Sequence, residues 1–181
     1  MGSAMSEYCI NGFLKRKKHY TYLEHLNNIK KGEEVDKDYF SFAFVRNPFD
    51  RLVSQFHFTG RQWWNKYEEI AKYKFSFKNY VKYVVAAGRP FSNHKKTKGR
   101  DQDWSMLQFV DGGVDFIGKF ENLQEDFDVV CDKIGIPRKE LPHKNKTKHK
   151  HYSGYYDDET KRIVAKKYTK DIKYFDYKFE N

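Results

Sequence analysis

The residues at 39–58, YFSFAFVRNPFDRLVSQFHF, pass from one hydrophobic period to another within a single stretch. Residues 40–45 form a short apolar and aromatic run, the pattern of a strand buried on both faces. Asn47 then suits a helix cap, and Pro48 suits the first helical position, where a missing N–H costs nothing. Phe49, Leu52, Val53 and Phe56 follow at helical spacing and give an apolar stripe that packs back on the sheet. Upstream, 7–31 reads as a helix-rich, basic entry segment with Tyr22, Leu23 and Leu26 on one helical face. Downstream, Gly60 is expected to interrupt the helix. Residues 76–85, SFKNYVKYVV, predict a helix capped by Ser76. A short helix is expected over 102–109 and a strand over 114–120. The helix that follows, with Leu123, Phe127 and Val130 turned inward, closes at Gly135-Ile136-Pro137. Residues 157–168, DDETKRIVAKKY, put acids first and bases last, an order that suits the helix dipole. Strand–helix, helices, strand–helix and a final helix predict an α/β architecture with a mostly parallel central sheet flanked by helices.

Length and charge narrow this picture. The 181 residues fit one domain, expected over 6–181, with the MGSAM of 1–5 read as a cloning remnant. No apolar run reaches the length of a membrane span and no signal peptide is recognisable. Cys9 and Cys131 are too few for a disulfide framework, which points to a reducing, cytoplasmic compartment. A net charge of +10 and a pI near 9.4 predict an anionic partner without naming it. Basic residues interleaved with 18% aromatics also suit a non-catalytic binder of nucleic acid or sulfated glycan. The lysines are spread through the chain, however, and no nucleic-acid module is recognisable, so nucleic acid is the weaker reading.

The chemistry concentrates at Arg46, where the strand gives way to the helix. Free N–H groups and the helix dipole favour an anion at such a junction, and an Arg fork adds charge-assisted, bidentate contacts. Ser54, eight residues on and off the apolar stripe, offers a hydroxyl to the same anion. Against this stands an ordinary strand-to-helix turn with Arg46 in a surface ion pair.

The strand ending in F-V-R-N-P and followed by D-R-L-V-S resembles the 3′-phosphate-binding segment of sulfotransferases that use 3′-phosphoadenosine 5′-phosphosulfate (PAPS). It is most similar to the carbohydrate branch that includes the chondroitin, dermatan and heparan 2-O enzymes. Three further stretches resemble that family: F-E-N-L-x-x-D-F from Phe120 with its G-I-P close, L-P-H-x-N-x-T-x-H from Leu141, and D-x-x-x-F-x-Y from Asp171. Trp104, Leu107 and Gln108 match a fourth only loosely. The resemblance implies the P-loop-like sulfotransferase fold and transfer of a sulfuryl group from PAPS to a carbohydrate hydroxyl. The product nucleotide would be adenosine 3′,5′-bisphosphate (PAP), and no metal is required. It assigns Arg46 and Ser54 to the 3′-phosphate, and Lys144, Lys146, Thr147 and Lys148 to a loop over the nucleotide. It places a catalytic His upstream of the strand, His19 ahead of His25, since an attacking hydroxyl must lose its proton and imidazole suits that work near neutrality. Against this stands a surface His beside a basic cluster.

One departure is plain. The Gly-rich loop that cradles the 5′-phosphosulfate in this family does not occur before Arg46, so the implied fold lacks its leading strand and loop. Residues 113–119, GVDFIGK, imitate a phosphate loop in spacing, but their interior is a strand sequence and Phe120 stands where Ser or Thr belongs. Activity is therefore not carried over by resemblance alone. For an acceptor, Trp63 and Trp64 either stack on a sugar ring or fill the core. Lys95, Lys96 and Arg100, in the polar stretch 88–100, either receive an anionic acceptor or are solvated. His143, His149 and His151 have a spacing suggestive of a metal, but lysines flank them and no carboxylate or thiol joins them.

Overall fold

The computed structural model describes residues 22–29, 40–66, 68–87, 105–142 and 149–180. The chain divides into two compact units, one of Met1–Phe44 with Phe109–Lys146 and one of Val45–Gln108 with Thr147–Asn181. Among the described residues no helix is long and apolar enough to cross a membrane.

The first unit holds helix α1 (Tyr22–Ile29) and a parallel two-stranded sheet of β1 (Phe42–Val45) and β2 (Phe116–Lys119), with the last residue of β1 opening the second unit. Ser41 and Asp115 set the register. The Phe116 N–H donates to the Ser41 carbonyl at 3.1 Å, and the Ser41 N–H donates to the Asp115 carboxylate at 2.8 Å. The Ser41 hydroxyl also bonds that carboxylate, and these bonds hold its pKa below the usual range. Burial of β1 on both faces, expected from its sequence, is not what forms. Phe42 is 39% exposed while Val45 is buried. Alternation places Phe40, Phe42 and Phe44 on one side, where neighbouring rings meet at 6.4 and 6.2 Å. An apolar run records hydrophobicity on both sides of a strand, but not whether each side is covered.

Residues 113–119 are a turn and a strand rather than a phosphate loop. Gly112 and Gly113 have φ of 111° and 98°, and Gly118 sits within β2. A methyl group at Gly118 would lie 2.6 Å from Phe44 Cε1, so the small residue permits the Phe44 ring to cross the sheet. After a 3₁₀ turn, Phe120–Asn122, helix α7 (Leu123–Ile134) packs on β2 with Val130 and Cys131 buried. Cys131 is a free thiol. Gly135 ends the helix at φ 71°, with the Ile136 N–H on the Cys131 carbonyl (3.0 Å) and Pro137 following. This is the left-handed glycine close that the G-I-P sequence predicts.

The second unit is helical. Helix α2 (Pro48–Gln55) continues through a π-helical turn, Phe56–Gly60, into α3 (Arg61–Asn65). Gly60 thus does not interrupt the helix. It lies buried in a wider turn, where a methyl group would sit 3.1 Å from the Phe56 ring and 3.5 Å from Tyr80. Helix α4 (Glu68–Ala71) follows. Helix α5 (Phe77–Tyr80) runs into a second π-turn, Val81–Val85, and the Ser76 hydroxyl caps it by accepting from the Asn79 N–H. Helix α6 (Met106–Val110) begins in this unit, and α8 (Asp158–Lys167) and α9 (Thr169–Tyr174) complete it. Asp157 and Thr160 form a capping box at the start of α8. The core gathers Phe49, Leu52, Val53, Tyr80, Val81, Val84, Val164 and Tyr168.

Asp171 is fully buried in this unit. Its carboxyl accepts from the Met106 N–H at 2.8 Å, the Leu107 N–H at 3.0 Å and the Ser105 hydroxyl, and so closes the start of α6 from a distant helix. Phe175 and Tyr177 are buried just beyond it, as expected of an anchoring D-x-x-x-F-x-Y segment. Asp171→Ala strands one buried and one part-buried N–H group and is expected to cost about 2–4 kcal/mol in urea unfolding. A loss under about 1 kcal/mol would mean that water replaces the carboxyl. In the first unit, Gly118→Ala is expected to cost about 1–3 kcal/mol through overpacking against Phe44. Wild-type stability would show that the ring has room to withdraw.

Candidate functional site

The junction between β1 and α2 is built by three successive residues with different tasks. Asn47, buried, caps α2: its Oδ1 accepts from the Phe49 N–H at 3.1 Å, and its carbonyl accepts from the Arg51 N–H at 2.8 Å. Pro48 takes the first helical position. Arg46 stands just before the cap, with its N–H directed to Met106 Sδ at 3.3 Å. Its guanidinium reaches along the helix to Asp50, with Nε and Nη2 at 2.7 and 2.6 Å from Oδ2. The two side chains are 14% and 21% exposed, so the pair is largely shielded from water.

The ion pair weighed for Arg46 from sequence is therefore present, and it orients the guanidinium beside the first turn of α2. Asp50 was not singled out in the sequence, although its four-residue spacing from Arg46 was a readable signal. Ser54 lies four residues beyond Asp50 in the last turn of the same helix, half-buried and off the Phe49–Leu52–Val53 face. Arg46, Asp50 and Ser54 thus recur every four residues along one side. The trio joins a guanidinium already paired to a carboxylate with a hydroxyl two turns on, beside a helix N-terminus.

Two further contacts converge on this turn. Asn47 Nδ2 donates to the Lys178 carbonyl at 3.0 Å. Phe179 packs edge-on against Phe49, with ring centres 5.0 Å apart. Nothing in the local sequence around Arg46 announces these partners.

Past Ser54, the π-turn carries His57, whose ring stacks on His149 at 5.1 Å and 10° and meets Tyr155 edge-on at 5.2 Å. Burial and then the neighbouring His149 charge lower the His57 pKa. His149 Nδ1 faces the Lys150 carbonyl at 2.8 Å, and His151 Nδ1 faces the Ser153 hydroxyl at 2.9 Å. Among the described residues no group of three His, Cys, Asp or Glu side chains is arranged to hold a metal ion.

The other expected site residues are placed as follows. Trp64 lies in the core, packed on Phe75 at 5.7 Å and 3% exposed, the core-filling alternative of the two weighed for it. Trp63 belongs to α3, its side chain outside the described residues. His19, Lys95, Lys96, Arg100, Lys144, Lys146, Thr147 and Lys148 also lie outside them. Of the expected set, the structure thus describes Trp64 in the core, Arg46 just before the cap of α2 and Ser54 in its last turn.

Residues 6–178 match the model of the Sulfotransferase family. Among curated proteins, carbohydrate sulfotransferase 9 of Homo sapiens is 30% identical over 164 residues, covering 74% of this chain and 33% of that protein. The chain thus spans about a third of the length of that relative. An uncharacterized protein of Archaeoglobus fulgidus is 29% identical over 109 residues, covering 59% of this chain and 76% of that one. No solved structure matches the chain.

The histidine stack sets a pH dependence. A depressed His57 pKa means that the stacked form favours neutral imidazole, so its stabilising contribution is complete above the usual value of about 6.5. That contribution is lost as pH falls through the lowered value. NMR titration is expected to find His57 protonating below the usual imidazole value. His149→Ala should move it part of the way back, because burial, the larger cause, remains. An ordinary His57 titration in the native chain would mean that neither burial nor His149 bears on it in solution.

Proposed function

The chain belongs to the sulfotransferase family, and from that membership we propose that it transfers a sulfuryl group from PAPS to a carbohydrate hydroxyl. The observation that carries this reading is the Arg46 fork, fixed by Asp50 at the start of α2 with Ser54 further along the same side. The name of the human relative, a carbohydrate sulfotransferase, supports the acceptor class.

In this reading Arg46 and Ser54 hold the 3′-phosphate of the nucleotide, and the dipole at the start of α2 favours the same anion. Lys144, Lys146, Thr147 and Lys148 reach its remaining phosphates. The acceptor oxygen forms a bond to sulfur as the bond from sulfur to the 5′-phosphate oxygen breaks, and PAP departs with the electron pair. The acceptor proton passes to a base, assigned to His19. Basic groups stabilise charge developing on the bridging oxygen. Trp63, Lys95, Lys96 and Arg100 contact the acceptor. An acceptor carrying anionic sugars agrees with the net charge of +10.

Calorimetric titration tests the donor half of the site. PAP is expected to bind saturably, and more tightly than adenosine 5′-phosphate, which lacks the 3′-phosphate. Arg46→Ala should weaken PAP by about a hundredfold, the loss of charge-assisted bonds to a phosphate. Its thermal melt should show a folded chain. Unchanged PAP affinity in a folded Arg46→Ala protein would sink the assignment. Salt-sensitive binding of heparin without preference for the 3′-phosphate would instead identify a non-catalytic polyanion binder.

A further inference from the structure

The segment that follows α9 is far from Arg46 in sequence, yet it forms one wall of the turn that carries it. Asn47 has two jobs in one amide: Oδ1 caps α2 through the Phe49 N–H, and Nδ2 donates to the Lys178 carbonyl at 3.0 Å. The side chain is buried, so neither bond is readily exchanged for one to water. The neighbours of Lys178 are fixed on either side. Tyr177 is buried, and the Glu180 N–H donates to the Tyr152 hydroxyl at 2.7 Å. Between them Phe179 is wedged among three rings, at 5.0 Å from Phe49, 5.5 Å from Tyr152 and 5.4 Å from Tyr156, all near perpendicular. Lys161 Nζ lies 4.0 Å from the centre of the Phe179 ring. Tyr156 in turn donates its hydroxyl to the Phe49 carbonyl at 2.9 Å. The first turn of α2 is thereby held by a backbone carbonyl on one residue and an aromatic wedge on the next.

We propose that residues 177–180 are a positioning strap for the anion site: they lock Asn47, and through it Arg46, in the orientation that receives the 3′-phosphate. The proposal rests on the donor-site reading above. Asn47 and Phe179 are positioning residues that touch no substrate. Rotation about the Arg46–Asn47 link moves the guanidinium relative to the start of α2 and to Ser54 further along it, so their alignment depends on a fixed cap. An ordinary N-cap needs only the acceptor oxygen, which Ser, Thr or Asp supply equally well. The second bond, from Nδ2, is what makes Asn the fitting residue here.

The test uses the full chain, with PAP and adenosine 5′-phosphate titrated into Asn47→Ser, Phe179→Ala and Phe179→Leu proteins. Asn47→Ser keeps a capping oxygen but cannot donate to the Lys178 carbonyl. Phe179→Ala removes the wedge, and Phe179→Leu restores part of its volume. Asn47→Ser and Phe179→Ala are each expected to weaken PAP by about tenfold. Adenosine 5′-phosphate should change little. The double variant should lose no more than the worse single one, because both loosen the same strap. Phe179→Leu should recover much of the loss. Wild-type PAP affinity in both variants, or equal loss of both nucleotides, would overturn the strap. Should loss of the Phe179 ring unfold the unit, Asn47→Ser still decides the matter, since the helix retains its cap. Failure of the unsubstituted chain to bind PAP would instead defeat the donor-site reading, and the strap with it.

Discussion

The start of α2 is the constraint on which the second unit turns. Within Arg46, Asn47 and Pro48 the backbone must leave an extended path and enter a helix whose opposite face supplies Phe49, Leu52 and Val53 to the core. Were the helix to begin one residue later, each of those side chains would rotate by about 100° and the stripe would face solvent. Pro48 fixes φ and forgoes a donor where none is needed, and Asn47 satisfies the Phe49 N–H. Core and candidate site are thus set by the same cap. What buries Leu52 on one side of the helix also places Asp50 and Ser54 on the other.

Much of this was legible because it is local. A cap, a proline and an apolar stripe lie within a few residues of one another, and periodicity reads such patterns directly. The same holds for Ser76 before α5, for the Asp157–Thr160 box before α8, and for Gly135 closing α7. Gly60 shows where local reading fails. Glycine is a weak helix former, yet here the helix widens into a π-turn and keeps going, because the Phe56 and Tyr80 rings need the space that a side chain would fill. Tertiary packing outweighed about 1 kcal/mol of propensity. The exposed face of Phe42 has the same lesson in reverse, since hydrophobicity alone did not ensure cover.

The contacts that complete the site were not legible, and the reason is sequence separation. Asn47 and Lys178 are 131 positions apart, and Asp171 and Met106 are 65 apart. A carbonyl acceptor has no identity in sequence, since every residue carries one. An anchoring role for Asp171 was readable from its resemblance to a family segment, but its partners were not. Asp171 bears on the site at one remove. It fixes the N–H of Met106, and Met106 offers its sulfur to the Arg46 N–H. Hydrogen bonds from two distant stretches of chain therefore meet at one three-residue turn.

In the donor-site reading, the Arg46–Asp50 pair makes such a turn favour a particular anion rather than any anion. An Arg alone at a helix N-terminus is a site for sulfate, phosphate or carboxylate indifferently. With Asp50 on the same guanidinium, the pair is close to neutral, and an incoming anion meets repulsion as well as attraction. At an effective dielectric of about 20 and a separation of about 5 Å, that repulsion is of the order of 3 kcal/mol per charge, similar to the attraction it opposes. Net affinity must then come from groups acting together: the oriented fork, the helix dipole and the Ser54 hydroxyl. A small or wrongly shaped anion engages only one of them and gains little. In return Asp50 holds the guanidinium already oriented and already largely removed from water, so a phosphate that fits pays less of the ordering cost when it binds. In that reading selectivity comes from geometry enforced on a charge, and the cap that fixes that geometry matters as much as the arginine.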